Sequence, residues 1–235
     1  VTAANRRQVT LERFKNGTIE ELDKLLAKLN KALRRTISTN APDLQSLTKA
    51  ELNSLIAKVN ADVKVYNAEV TKTIENNNAV LMPLESVYQA AVLDAIILTA
   101  GYSAINVGLD KIYPAYKSTP VNKSETISEP VSKIYATAAA SNLNKISGTV
   151  RNFATNSDAN TTADLLRAIT GTKAQKFQNG IMYSVKRNSD TTARTLGQHA
   201  ASVARMQTAR ANGIEKYTII ATFDSRTTDI CRSIG

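Results

Sequence analysis

Aliphatic side chains recur three or four residues apart through the first half of this chain, and that period leaves little choice but helix. Leu52, Leu55, Val59, Val63, Tyr66, Val70 and Ile74 keep one line. A strand would alternate at every second position, whereas a helix returns to one face after about 3.6 residues. The spacing predicts a coiled-coil-like seam on a long helix from Asp43 to about Asn78. A second stripe, Ile19, Leu22, Leu25, Leu26, Leu29, Leu33 and Ile37, predicts an earlier helix whose other face carries Lys24, Lys28, Lys31, Arg34 and Arg35. Only 9 glycines and 5 prolines punctuate 235 residues, too few for the turns of an all-β fold.

The punctuation that exists sets the expected boundaries. Ala3 to Lys15 reads as a short basic helix with Arg6, Arg7, Arg13 and Lys15, broken at Asn16-Gly17. Thr18 with Glu21 three residues on has the form of a capping box for the next helix. Ala41-Pro42-Asp43 ends that helix. Asn76-Asn77-Asn78 reads as a polar break, and Pro83 suits the first turn of a further helix running to about Leu109. Its expected core face is Leu84, Val87, Tyr88, Ala91, Val92, Ala95, Ile96 and Tyr102. The stretch Ala90 to Gly108 is the most apolar in the chain. It carries Asp94, and its unbroken apolar part is far shorter than the ~18 residues of a membrane span, so a buried helix is expected. These elements should pack as an elongated bundle of long antiparallel helices.

Residues 112–130 hold Pro114, Pro120 and Pro130 among serines and threonines, and read as a linker or extended loop between an N-terminal long-helix bundle (1–111) and a C-terminal helical region (131–235). Beyond Pro130 an alanine- and serine-rich helix is expected to about Asn152. A short one follows from Ala163 to Thr170, capped near Thr161-Thr162 and ended by Gly171. Another runs from Asp190, its expected cap, to Asn212, stopped by Gly213. Tyr217 to Phe223 then changes to the β-branched and aromatic composition of a strand. A strand must pair its backbone groups, so a truncated α+β element is expected, with the partner strand beyond Gly235 or on another chain.

The last stretch, Phe223 to Gly235, gathers Asp224, Asp229, Arg226, Arg232 and the only cysteine, Cys231. Asp224 or Ser225 can cap a short helix over Thr227 to Ser233, Arg226 can hold a carboxylate through its planar fork, and Cys231 suits a small buried position. A nucleophilic Cys231 would need the lone His199 as base and Asp224 or Asp229 to orient it. A zinc site would need Cys231, His199 and two carboxylates without any metal-type spacing. Neither catalysis nor a metal or other cofactor is expected. One cysteine also excludes an intrachain disulfide, and the opening residues lack the apolar core of a secretory signal.

In order along residues 192–235 come Arg194-Thr195 on a helix, Gly213, the strand, Asp224-Ser225-Arg226-Thr227 and Cys231-Arg232. This series resembles the C-terminal region of the phage Mu F-like minor head proteins. Ile234 stands where that family usually has leucine, and Gly235 follows without the usual Asp or Asn. The resemblance implies a portal-associated minor head protein present in several copies per virion. It implies a place inside the phage head, after a period in the host cytoplasm, and a part in head assembly and DNA packaging or ejection. Its partners would be the portal, other head proteins and double-stranded DNA, with no small-molecule substrate. It implies a structural role for Asp224, Ser225, Arg226, Thr227, Cys231 and Arg232.

The charge balance agrees independently. The chain carries 30 basic against 20 acidic residues, a net charge of +10, which favours an anionic partner. Aromatics are only 5% and tryptophan is absent, so stacking on single-stranded bases is disfavoured and contact with duplex phosphates is expected. The candidate contacts are Arg6, Arg7, Arg13, Lys15, Lys24, Lys28, Lys31, Arg34, Arg35, Arg205 and Arg210; a solvated helix face explains each one equally well. A non-enzymatic DNA-binding helical protein is the alternative reading, with an enzyme or a toxin-fusion relative of the same family behind it. A sequence-specific regulator would need a protruding recognition helix in a two-fold dimer, and no helix-turn-helix pattern is evident.

Overall fold

The computed structural model describes residues 3–99, 109–123, 128–156 and 161–214. It is mainly helical, as expected. Six helices follow in order among these residues: α1 (Ala3–Asn40), α2 (Lys49–Thr99), α3 (Leu109–Ser118), α4 (Val131–Thr155), α5 (Thr162–Thr170) and α6 (Ile181–Ala211). Between α3 and α4, strands β1 (Pro120–Lys123) and β2 (Ser128–Pro130) form a small antiparallel hairpin. The expected strand Tyr217–Phe223 lies outside the described residues.

Hydrogen bonds between side chains give the helix directions. Thr36 bonds Asp62 and Asn77 bonds Glu21, so α1 and α2 are antiparallel. Asn188 donates to Asn142 and Lys145 to Ser184, so α4 runs against α6. Tyr66 meets Ser189 and Arg205 meets Glu85, so α2 and α6 are parallel. The result is an up-down-up-down bundle in which α2 and α6 lie side by side, with α1 and α4 flanking them. Alanine and glycine on α6 (Ala193, Gly197, Ala200, Ala201, Ala204) are buried there and permit the close approach.

Both expected seams are buried. Leu55, Val59, Val63, Tyr66, Val70 and Ile74 of α2 meet Leu22, Leu29, Leu33 and Ile37 of α1 in one aliphatic cluster that also takes in Ile146, Val150, Leu165 and Leu196. A polar layer crosses it. Asn188 donates to Asn142, Asn142 to Asn67, and Asn67 to the Ala139 carbonyl. Such a chain of satisfied amides fits one register of the helices and no other.

Several boundaries differ from expectation, most of them toward longer helices. Asn16-Gly17 does not break α1. Thr18 is no cap: it is buried, its hydroxyl donates back to the Phe14 carbonyl, and it accepts from Asn77. Glycine costs a helix about 1 kcal/mol, which the contacts on either side outweigh. The Asn76–Asn78 break is likewise absent. Asn78 is buried and donates to the Tyr116 hydroxyl at 2.8 Å, so the polar run serves packing. Pro83 sits inside α2 rather than starting a helix.

At its start α2 begins later than expected, at Lys49. Thr48 and Glu51 form the capping box there, and the Thr48 bonds hold the Glu51 carboxyl below its ordinary range. Asp190 caps nothing; α6 begins nine residues earlier, at Ile181, and Asp190 pairs with Lys186 inside it. Its end follows the prediction. Gly213 at φ +74° lets its own N–H reach the Arg210 carbonyl and that of Ile214 reach Ala209. The capping box of Thr161 with Asp164 and the stop at Gly171 also appear where expected.

Two further corrections matter for function. Residues 112–130, expected as linker, contain the end of α3 and the hairpin, and Tyr116 is fully buried in the core. Half of the expected core face of the Pro83 helix points outward: Leu84 and Val87 are 52% and 57% exposed, and Ala91 and Ala95 are exposed too; Tyr88 and Val92 are half-buried, and the side chains of Ile96 and Tyr102 lie outside what is described. Because α2 does not restart at Pro83, its seam continues from Ile74 through Asn78, Leu81 and Glu85, and the Leu84 line falls on the opposite side.

Candidate nucleic-acid interface

On α1 the core positions Leu11, Leu22, Leu29 and Leu33 define the inward direction. At about 100° per residue, Arg6, Arg13, Lys24, Lys28, Lys31 and Arg35 fall within an arc of about 60° on the opposite side. All six are exposed, and none is in an ion pair among the described residues. From Arg6 to Arg35 the stripe is about 44 Å long at 1.5 Å per residue. Lys24, Lys28, Lys31 and Arg35 step by four, three and four residues, giving a line of cations roughly 5 Å apart along the axis. Exposed Glu20 and Glu21 border the row, four and three residues before Lys24, and the excess of cations presents a field that a polyanion can satisfy.

The remaining expected contacts separate into two kinds. Arg34 is exposed beside the stripe, with Nη2 donating to the Thr170 hydroxyl. Arg210 is exposed on α6. Arg7, Lys15 and Arg205, by contrast, are engaged in the interior. Lys15 is 7% exposed, pairs with Glu12 at 2.5 Å and donates to Gln198 at 3.3 Å. Arg7 and Arg205 grip Glu85 of α2, which is wholly buried. Arg205 reaches Oε2 through Nε and Nη2, both at 2.8 Å, and Arg7 pairs with Oε1 while lying 5.2 Å over the Tyr88 ring. These three cations are corrected to structural roles. The signal was present for Lys15, which shares the line of Leu11 and Leu22. Glu85 was a missed key residue, and its signal was an acid in line with Leu81, among the aliphatic residues just before the most apolar stretch.

A second ion cluster joins α1 to α6. Lys186 pairs with Asp23 and, at 3.3 Å, with Asp190. Burial raises the Asp190 carboxyl, with Lys186 pulling it back, whereas for Lys186 the two carboxylates outweigh burial and raise it. Tyr66 is pushed by burial up to about 12, so its hydroxyl stays neutral and serves only its 2.9 Å bond with Ser189.

His199 lies half-buried on α6 with its ring 5.7 Å from that of Tyr116, and its Nε2 has no hydrogen-bond partner among the described residues. Burial lowers its basicity, partly offset by the carbonyls of Tyr116 and Thr119. A lowered histidine means that the unfolded chain takes up the proton first as pH falls. Acidification through the ordinary histidine range near pH 6.5 should therefore destabilise the fold. Thermal unfolding of His199→Gln should lose that component of the slope between about pH 7 and pH 5; an unchanged slope would refute the assignment.

No group of three or more His, Cys, Asp or Glu among the described residues could hold a metal ion. No described helix is long and apolar enough to cross a membrane. Asp224, Ser225, Arg226, Thr227, Cys231 and Arg232, and with them the Cys231–His199 alternative, lie outside the described residues. Comparison with protein-family models, with curated proteins and with solved structures finds no match to this chain.

Proposed function

We propose that this chain is a minor head protein of a tailed phage, of the Mu F-like kind, without catalytic activity of its own. It acts near the portal in head assembly and in packaging or ejection of DNA. In this reading α1 lies against packaged double-stranded DNA and neutralises phosphates through Arg6, Arg13, Lys24, Lys28, Lys31 and Arg35, with Arg34 and Arg210 at the margins. The observation that carries the DNA contact is the unpaired cationic stripe opposite the core of α1. The virion assignment rests on the order of Arg194-Thr195, Gly213, Asp224-Ser225-Arg226-Thr227 and Cys231-Arg232. Phosphate contact alone is indifferent to base sequence, as packaged DNA requires.

Titration of a labelled duplex against salt tests the DNA contact. Six neutralised phosphates give a slope of log K on log salt of about −5, and an affinity loss of about a thousandfold between 50 and 200 mM salt. Replacing the six cations by glutamine should abolish the slope and leave helicity intact. Binding that ignores salt, or survives the replacement, would overturn the DNA contact. The virion assignment is tested separately, by imaging heads assembled with and without the chain. Added density at the portal vertex is expected. DNA binding without such density would favour the alternative, a helical DNA-binding protein outside a virion.

A further inference from the structure

The exposed positions of α2 between Ala79 and Ala95 are all alanine, valine, leucine or proline. Val80, Leu84 and Val87 stand 59%, 52% and 57% exposed, with Ala91 in line behind them. Their spacing of four, three and four residues is that of alternating d and a positions in a heptad. The sequence periodicity marks this line as a packing face, and within one copy nothing described packs on it. At 1.5 Å per residue the line from Val80 to Ala91 is about 16–17 Å long.

The surrounding charge narrows the occupant. The first half of α2 mixes Lys58, Lys64 and Lys72 with exposed Glu51, Glu69 and Glu75, whereas the outward faces of α1, α4 and α6 are basic, with Lys28, Lys145 and Arg187 among them. Two copies of a chain with net charge +10 repel wherever those faces meet. The exposed positions of the Ala79–Ala95 face are uncharged, with half-buried Asp94 at its edge, and their spacing is complementary to itself, as a two-fold interface requires. A helix lying in a lipid surface would instead be flanked by basic residues at the headgroups, and this face has none.

We propose that the chain self-associates through this face of α2, with Val80, Leu84, Val87 and Ala91 of one copy packing against the same residues of a second. The seam holds few large side chains, so the pair is a weak one, at the low end of specific interfaces. Salt screens the repulsion between the two basic bodies, so pairing strengthens with salt, the opposite of the behaviour expected for phosphate contact.

Sedimentation velocity of the full chain tests this. At about 100 µM the wild type should move toward twice the 25.4 kDa monomer mass, more so at higher salt. The double variant Leu84→Lys, Val87→Lys should remain monomeric at every salt concentration with unchanged helicity. The milder Val87→Gln should shift the association midpoint upward by about tenfold. A wild type that stays monomeric would overturn the proposal, as would a lysine variant that still pairs. Flotation of a monomeric wild type with neutral phosphatidylcholine vesicles would also overturn it, assigning the face to lipid. None of these outcomes bears on DNA binding by α1.

Discussion

Replacing Glu85 with alanine is expected to destabilise the bundle by about 3–5 kcal/mol. The carboxylate has no exposure and is the common partner of Arg7 from α1 and Arg205 from α6. Removing it leaves two cations facing each other across a buried gap. Arg7 has little alternative, because its Nε is already buried without a partner. The adjacent Ser86 hydroxyl is buried and unpartnered as well, so nothing described there can take over the role. Urea unfolding followed by helical signal measures the loss.

The test has an internal control. A triple variant, Arg7→Met, Glu85→Leu and Arg205→Leu, exchanges the ionic cluster for apolar volume and should recover most of the stability. If Glu85→Ala cost less than about 1 kcal/mol, the cluster would not be a buried charge network at all.

The second large effect is steric. Gly180 precedes α6, and a Cβ there would lie 2.2 Å from the Gly171 nitrogen and 2.4 Å from the Thr170 carbonyl carbon. Both are backbone atoms at the end of α5, so no side chain can swing away. Gly180 has an extended backbone that any residue could adopt, φ −94° and ψ 156°. The whole penalty therefore comes from forcing α5 away from α6. Gly180→Ala should cost about 3 kcal/mol or more.

Gly17→Ala supplies the contrast. That position is helical, and a Cβ there meets nothing within 4 Å. The substitution should stabilise by about 0.5–1 kcal/mol. Thermal unfolding of both variants measures the pair. Equal effects would mean that the contact between the two glycine turns does not hold α5 in place.

Two kinds of residue escaped a reading of the chain alone. Nothing local marked Gly180 as a contact, because Gly171 is brought to it by the turn between them. Asn76–Asn78 and Asn16-Gly17 looked like breaks on local propensity. Asn78 finds Tyr116, Asn77 finds Thr18 and Glu21, and the helices run through. Propensity differences of about 1 kcal/mol yield to tertiary contacts of that kind. Among the basic positions, the outward side of Lys24, Lys28, Lys31, Arg34 and Arg35 was correctly read from spacing, whereas Arg6 and Arg13, expected on a separate short helix, join their line only because α1 runs through Asn16-Gly17. Arg7 and Arg205 were not separable from it, because Glu85, which engages both, is 78 and 120 residues distant in the chain, whereas Lys15 shares the line of Leu11 and Leu22.

The amino-acid sequence by itself determined that this chain is helical, where its two main seams lie, and that one side of α1 is cationic. These follow from local period and composition, since each residue's direction around a helix depends only on its number. The tertiary structure alone decided which seam continues through Pro83, which cations are neutralised, and that the Val80–Ala91 line faces out. Those depend on which helices meet and in what register, and the energies that choose the register come from residues far apart in the chain.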